Sequence, residues 1–116
     1  LSCHRKFRSL TALAQLPLIL RITAKANPEK EIELKQALKS VLDKTSVTFN
    51  EVKNCCCKSL FEDNIIHIEQ EWESHSSIEE YLKSKEYKYL IGAITVLGNI
   101  MEIQEITTLK TDEIIN

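Results

Sequence analysis

The chain predicts an α+β fold of the ferredoxin-like, split βαβ kind, an antiparallel sheet with its helices on one face. Three observations carry this. Residues 18–26 alternate in the manner of a strand, with Leu18, Leu20, Ile22, Ala24 and Ala26 on one side and Arg21, Thr23 and Lys25 on the other. Leu34, Leu38, Val41 and Leu42 then recur at helical spacing. A turn triplet, a second alternating strand and two cappable helical segments follow, so the order reads β-α-β-β-α(α)-β.

The elements are justified in turn. After the first strand, Asn27-Pro28 supplies an N-cap and a first-turn proline, and Glu29 and Glu31 suit the positive end of a helix. That helix should end between Thr45 and Phe49. Residues 53–61 form a second strand, and Glu62-Asp63-Asn64 has the turn chemistry to reverse the chain into a third, Ile65 to Glu73. In the third strand Ile66, Ile68, Gln70 and Trp72 share one face, and His67, Glu69, Glu71 and Glu73 share the other. Ser76 with Glu79, or Ser77 with Glu80, makes a candidate capping box for a short helix to about Lys83. Ser84 can cap the next, whose inner stripe is Tyr87, Leu90, Ile91, Ile94 and Leu97 and whose end is marked by Gly98. A last strand is expected over residues 100–109.

Length and charge narrow the function classes. A chain of 116 residues supports one core of modest buried fraction, to which a partner subunit would add. Charged residues make up 28% of it yet nearly cancel to a net −2, so no overall field favours nucleic acid or an anionic membrane. No run approaches the ~18 apolar residues of a membrane span. A soluble, cytoplasmic protein is the expectation. Residues 1–17 are basic and free of acids, and are expected to lie outside the core domain of residues 18–109. Residues 110–116 form a polar tail.

Cys55-Cys56-Cys57 lacks the second Cys or His pair that a zinc site requires, so a structural role is expected and a metal or redox role is secondary. An unbridged run of this kind suits a reducing compartment. An antiparallel sheet with helices on one face leaves its other face open, and a homodimer pairing two sheets would cover it.

Several segments taken together resemble a known family: Arg21-Ile-Thr-Ala-Lys25, Pro28-Glu-Lys-Glu31, the cysteine-containing second strand, Glu71-Trp-Glu-Ser74 and Tyr81-Leu-Lys-Ser-Lys-Glu-Tyr87. They are similar to the antibiotic biosynthesis monooxygenase-like family of the dimeric α+β barrel superfamily, over about residues 18–109. The resemblance implies a homodimer with a pocket between sheet and helices for a small aromatic or quinol-like compound, oxidised with O₂ without metal, flavin or other cofactor. Some members of that family have no established reaction, so a non-catalytic small-molecule-binding or stress-response dimer of the same fold stands as the alternative. Two departures bear on chemistry. Asn54-Cys55 stands where many relatives have Gly-Cys, and Asn tolerates a left-handed backbone almost as Gly does. Tyr81 and Ile91 replace a Trp and a haem-ligating His of the haem-degrading subgroup, so haem degradation is not expected.

Within this frame Trp72 and Tyr81 are the expected catalytic residues, and Ile68, Gln70 and Tyr87 the expected substrate contacts. The indole can stack on a planar ring and donate one hydrogen bond, or simply plug the core. A free phenol titrates near ~10, which makes Tyr81 a poor base unless shifted. Gln70, polar on an apolar face, must find a partner if buried. His67 between Glu69 and Glu71 suggests a polar network at a subunit interface, and His75 an exposed turn residue.

Overall fold

A computed structural model describes residues 18–107. The expected extension (1–17) and tail (110–116) lie outside the described residues. The described elements run β1 (Leu18–Ala26), α1 (Glu31–Thr48), β2 (Lys53–Lys58), β3 (Ile65–Trp72), α2 (His75–Leu82), α3 (Lys85–Leu97) and β4 (Gly98–Thr107). All neighbours in the sheet are antiparallel, in the order β2-β3-β1-β4. This is the ferredoxin-like α+β arrangement.

The alternation within β1 and β3 decides which face the helices take. Ile22, Ala24, Ile66 and Ile68 are fully buried against Leu34, Leu38 and Leu42 of α1 and Leu90 and Ile94 of α3. Leu20 and Trp72, farther along the same face, pack with Ile78 and Tyr81 of α2. Arg21, Thr23, His67 and Glu69 point the other way. There, Thr23 Oγ1 lies 3.1 Å from His67 Nδ1, and Arg21 Nε lies 3.4 Å from Glu69 Oε2. No described helix packs on that face or is long and apolar enough to cross a membrane.

β3 ends at Trp72, one residue short of the expected Glu73, and four other element ends differ from expectation for a local reason. α1 starts at Glu31 because Glu29 adopts φ 66°, outside the helical region, so Asn27-Pro28 belongs to a turn and Lys30 takes the N-cap without a side-chain bond. β2 stops at Lys58, not residue 61. Ser59 closes the ladder through its N–H to the Ile65 carbonyl (3.0 Å), and its hydroxyl accepts from the N–H groups of Phe61 and Glu62. α2 is capped by Ser74 rather than Ser76 or Ser77. Ser74 is extended (φ −147°, ψ 160°) and its Oγ accepts from Ser77 N at 3.2 Å, so the reciprocal Glu of a capping box is not used. β4 begins at Gly98, two residues early. Ser84 caps α3 as expected, its Oγ accepting from Tyr87 N at 3.2 Å.

Gly98 does not serve as a left-handed helix terminator, since its φ is −175°. A Cβ there would sit 2.2 Å from the Lys25 carbonyl oxygen and 3.0 Å from Ala26 Cα. Glycine is needed because α3 hands over directly to β4 while already paired with β1.

Candidate functional site

The sheet register builds the site. Leu18 pairs with Trp72 and Leu20 with Gln70, while Asn54 pairs with Gln70 from the other side. Leu20, Gln70 and Asn54 therefore stand in one row across the helix-facing surface, with Trp72 one step farther along β3. α2 begins three residues after Trp72, and its fully buried face, Ile78 and Tyr81, folds back over the indole.

An aromatic cluster results. The Trp72 and Tyr81 rings lie 4.8 Å apart, tilted by 35°. Phe49, at the C-cap of α1, meets both edge-on, at 5.6 Å from Trp72 and 5.5 Å from Tyr81. Tyr87 of α3 meets Tyr81 edge-on at 5.3 Å. Contacts of this geometry contribute about 0.5–1.5 kcal/mol per pair beyond area burial. Trp72, Tyr81 and Gln70 are all 0% exposed, so the cluster is closed over its own side chains.

The polar atoms inside it are poorly served. Among the described residues, four buried side-chain atoms have no hydrogen-bond partner: Gln70 Oε1, Trp72 Nε1, Tyr81 Oη and Arg21 Nε. Arg21 Nε has the Glu69 carboxylate within ion-pair distance. The other three belong to one site. Each such orphan costs about 1–3 kcal/mol, and their concentration marks a place where packing has not been optimised for stability alone. Burial pushes the Tyr81 hydroxyl up to about 12; Gln70 and Thr45, beside it but outside hydrogen-bond geometry, ease that rise, and Tyr87 and Glu86 add to it. Burial also raises Tyr87. Tyr81 is therefore a phenol, not a phenolate, at neutral pH, and can donate but not act as a base.

Of the residues singled out from sequence, Gln70, Trp72, Tyr81 and Tyr87 come together here. Ile68 lies in the adjoining aliphatic core, which Tyr87 joins to the aromatic cluster. His67 stands on the opposite sheet face, where burial first, and then the Arg21 charge, hold its imidazole below its ordinary value, against a smaller opposing pull from Glu62. His75 is exposed as expected but opens α2 and is engaged, with Nδ1 2.7 Å from Glu105 Oε2. The cysteine reading needs correction. Among the described residues Cys56 is the free cysteine and faces α1, its thiol pushed up by burial against the pull of Lys35, but Cys55 and Cys57 are not free thiols. An unbridged run therefore no longer supports a reducing compartment.

Four contributors were missed from sequence. Phe49 and Thr45 continue the stripe of Leu38 and Leu42 at spacings of three and four, so the signal for them was present. Asn54, singled out from sequence only because Asn54-Cys55 stands where relatives have Gly-Cys, links α1 to Gln70, a pairing that no local pattern marks. Glu86, only 7% exposed at the second position of α3, accepts from Thr48 Oγ1 at 3.0 Å and ties α3 to α1 beside the cluster. A groove of about 380 Å³ opens outward from that tie, between Lys44, Thr48, Lys85 and Tyr89.

No protein-family model matches the chain, and no curated protein does. Solved structures do share its fold. A Caulobacter crescentus protein described as a candidate antibiotic biosynthesis monooxygenase superposes with a TM-score of 0.70 at 14% identity, over 79% of this chain and 89% of that one. A conserved Methanosarcina mazei protein gives 0.69 at 17% identity, over 84% and 96%. A Bacteroides thetaiotaomicron protein of unknown function, described as a candidate oxidoreductase, gives 0.68 at 13% identity, over 80% and 98%. The chain thus has the ferredoxin-like fold seen in candidate antibiotic biosynthesis monooxygenases, in keeping with the family that its sequence resembles.

Proposed function

We propose that the protein is a cofactor-independent monooxygenase acting on a small aromatic or quinol-type compound, with Trp72 and Tyr81 at the reacting ring and Gln70 and Tyr87 beside it. The observation that supports this is the set of three unpartnered polar atoms, on Gln70, Trp72 and Tyr81, inside one aromatic cluster. A planar ring bearing oxygens would stack on the indole and give those atoms the partners they lack. Ile68, one step inside the core, would limit how deep the ring enters.

In this reading the substrate supplies the electrons. In an anthrone-type substrate a doubly activated CH₂ becomes C=O, and in a quinol a ring C–H becomes C–OH as the quinol becomes the quinone; in each case one atom of O₂ stays on carbon and the other leaves as water. The enolate or phenolate of the substrate reacts with O₂, and the N–H of Trp72 and the O–H of Tyr81 stabilise negative charge developing on its oxygen. Tyr81, held near 12, is the donor, and the substrate's own acidity supplies the anion. Phe49, half-buried and edge-on to both rings, is the side chain whose displacement would admit a ligand. The sheet face on which no described helix packs supports a homodimer as the working unit.

Oxygen consumption with a panel of anthrones and hydroquinones tests the proposal. Uptake should occur, fall about 10²-fold or more in Tyr81→Phe, and vanish in Trp72→Ala. Binding of the same compounds with no uptake would leave the non-catalytic alternative, and no binding at all would remove the site.

A further inference from the structure

Asn54 is placed where it dictates the chemistry that Gln70 offers. Its Nδ2 donates to the Leu42 carbonyl at 3.3 Å and to Ser46 Oγ at 2.8 Å, both on α1, and its Oδ1 accepts from Gln70 Nε2 at 3.0 Å. The directions are forced. A main-chain carbonyl can only accept, so the NH₂ of Asn54 must face α1 and its oxygen must face β3. The group that Gln70 turns towards that oxygen must then be its own NH₂. Gln70 Oε1 is left pointing away from Asn54, buried, with no donor, in a residue that neighbours the Tyr81 hydroxyl. Without the Asn54 bond the amide would be free to turn over and present NH₂ instead.

We propose that Asn54 is a positioning residue that locks the Gln70 amide, so that the aromatic cluster presents a fixed acceptor and takes a ligand hydroxyl in preference to an ether or carbonyl oxygen of the same shape. This rests on the reading of the cluster as a ligand site. The donor pattern explains the selection. A phenolic hydroxyl can give its proton to Gln70 Oε1 while its oxygen accepts from Trp72 Nε1, whereas an ether or carbonyl oxygen meets Oε1 lone pair to lone pair and leaves it unpaired. A binding site that needs a hydroxyl rejects the analogue lacking it far more strongly than an apolar pocket discriminates by size.

The chain has one tryptophan, so a ¹⁵N-labelled sample gives one indole N–H signal, and that signal reports on the site. Titration of this signal with 2-naphthol and with 2-methoxynaphthalene compares a hydroxyl with its methyl ether on the same ring. Wild type should bind the naphthol about tenfold or more tighter. Asn54→Leu should bring the two within about threefold, with Asn54→Ser as the substitute if the Leu variant loses native signal dispersion. Asn54→Asp, which keeps an oxygen for Gln70 Nε2 but loses both donations to α1, should restore the preference. That rescue is not expected if Asn54 merely anchors α1. Preference retained in the Leu or Ser variant, absent in wild type, or not restored by Asp overturns the proposal while the site itself stands. Failure of both compounds to move the indole signal overturns both readings together.

Discussion

Tyr81 shows how a single residue separates stability from binding. Its ring makes three aromatic contacts, yet its hydroxyl is buried without a partner. Tyr81→Phe keeps the contacts and removes the orphan, so thermal or urea unfolding should show a variant as stable as wild type or up to about 1 kcal/mol more stable. Function should move the opposite way, as expected where a group is kept at some cost to stability. A loss of more than about 1 kcal/mol would mean that the hydroxyl has a structural partner and that the cluster is ordinary core. Trp72→Ala is the contrasting change. It empties a fully buried volume and should cost about 3–5 kcal/mol, so its loss of activity is informative only alongside the Phe variant.

At the scale of elements, junctions matter more than helix or strand interiors. The link from α3 to β4 has no loop, and Gly98 is paired with Ala26 from its first residue. Gly98→Ala would press a methyl group against the Lys25 carbonyl, where only backbone can yield. The expected loss is about 1–3 kcal/mol by chemical denaturation, with the fold retained. Gly92 makes the control, because a Cβ there meets nothing within 4 Å, and Gly92→Ala should be neutral or stabilising within a helix. The Ser74 cap serves the site directly. It sets where α2 begins and hence brings Tyr81 over Trp72, a placement that a start at Ser76 or Ser77 would have shifted by most of a turn.

For the whole molecule the undecided surface is the sheet face carrying Thr23, His67, Arg21 and Glu69. His67 is held below its ordinary value of 6.5, so the folded protein prefers it neutral, and the unfolded chain binds the proton more readily. Stability from this group is present in full above about 6.5 and is lost as pH falls below it, levelling off beneath the folded value. A second sheet laid over this face would deepen the burial and add to the effect. Light scattering should therefore give twice the chain mass at pH 8 and a weaker dimer at pH 5.5, and His67→Gln should flatten the difference. A monomer at pH 8 would end the paired-sheet architecture.

The order of elements and the face each strand presents follow from the residues directly, because side-chain alternation and the three-four helical spacing are local properties of the chain. The sequence also singled out Trp72, Tyr81, Gln70 and Tyr87, whose place on inward-facing stripes follows from the same periodicities. How those residues meet is a matter of three-dimensional packing. Strand register set Asn54 beside Gln70, the Ser74 cap swung Tyr81 onto the indole, and the last turn of α1 brought Phe49 against both rings. These contacts join residues far apart along the chain, and which of their polar atoms find partners depends on the packed arrangement in three dimensions. No local pattern encodes that.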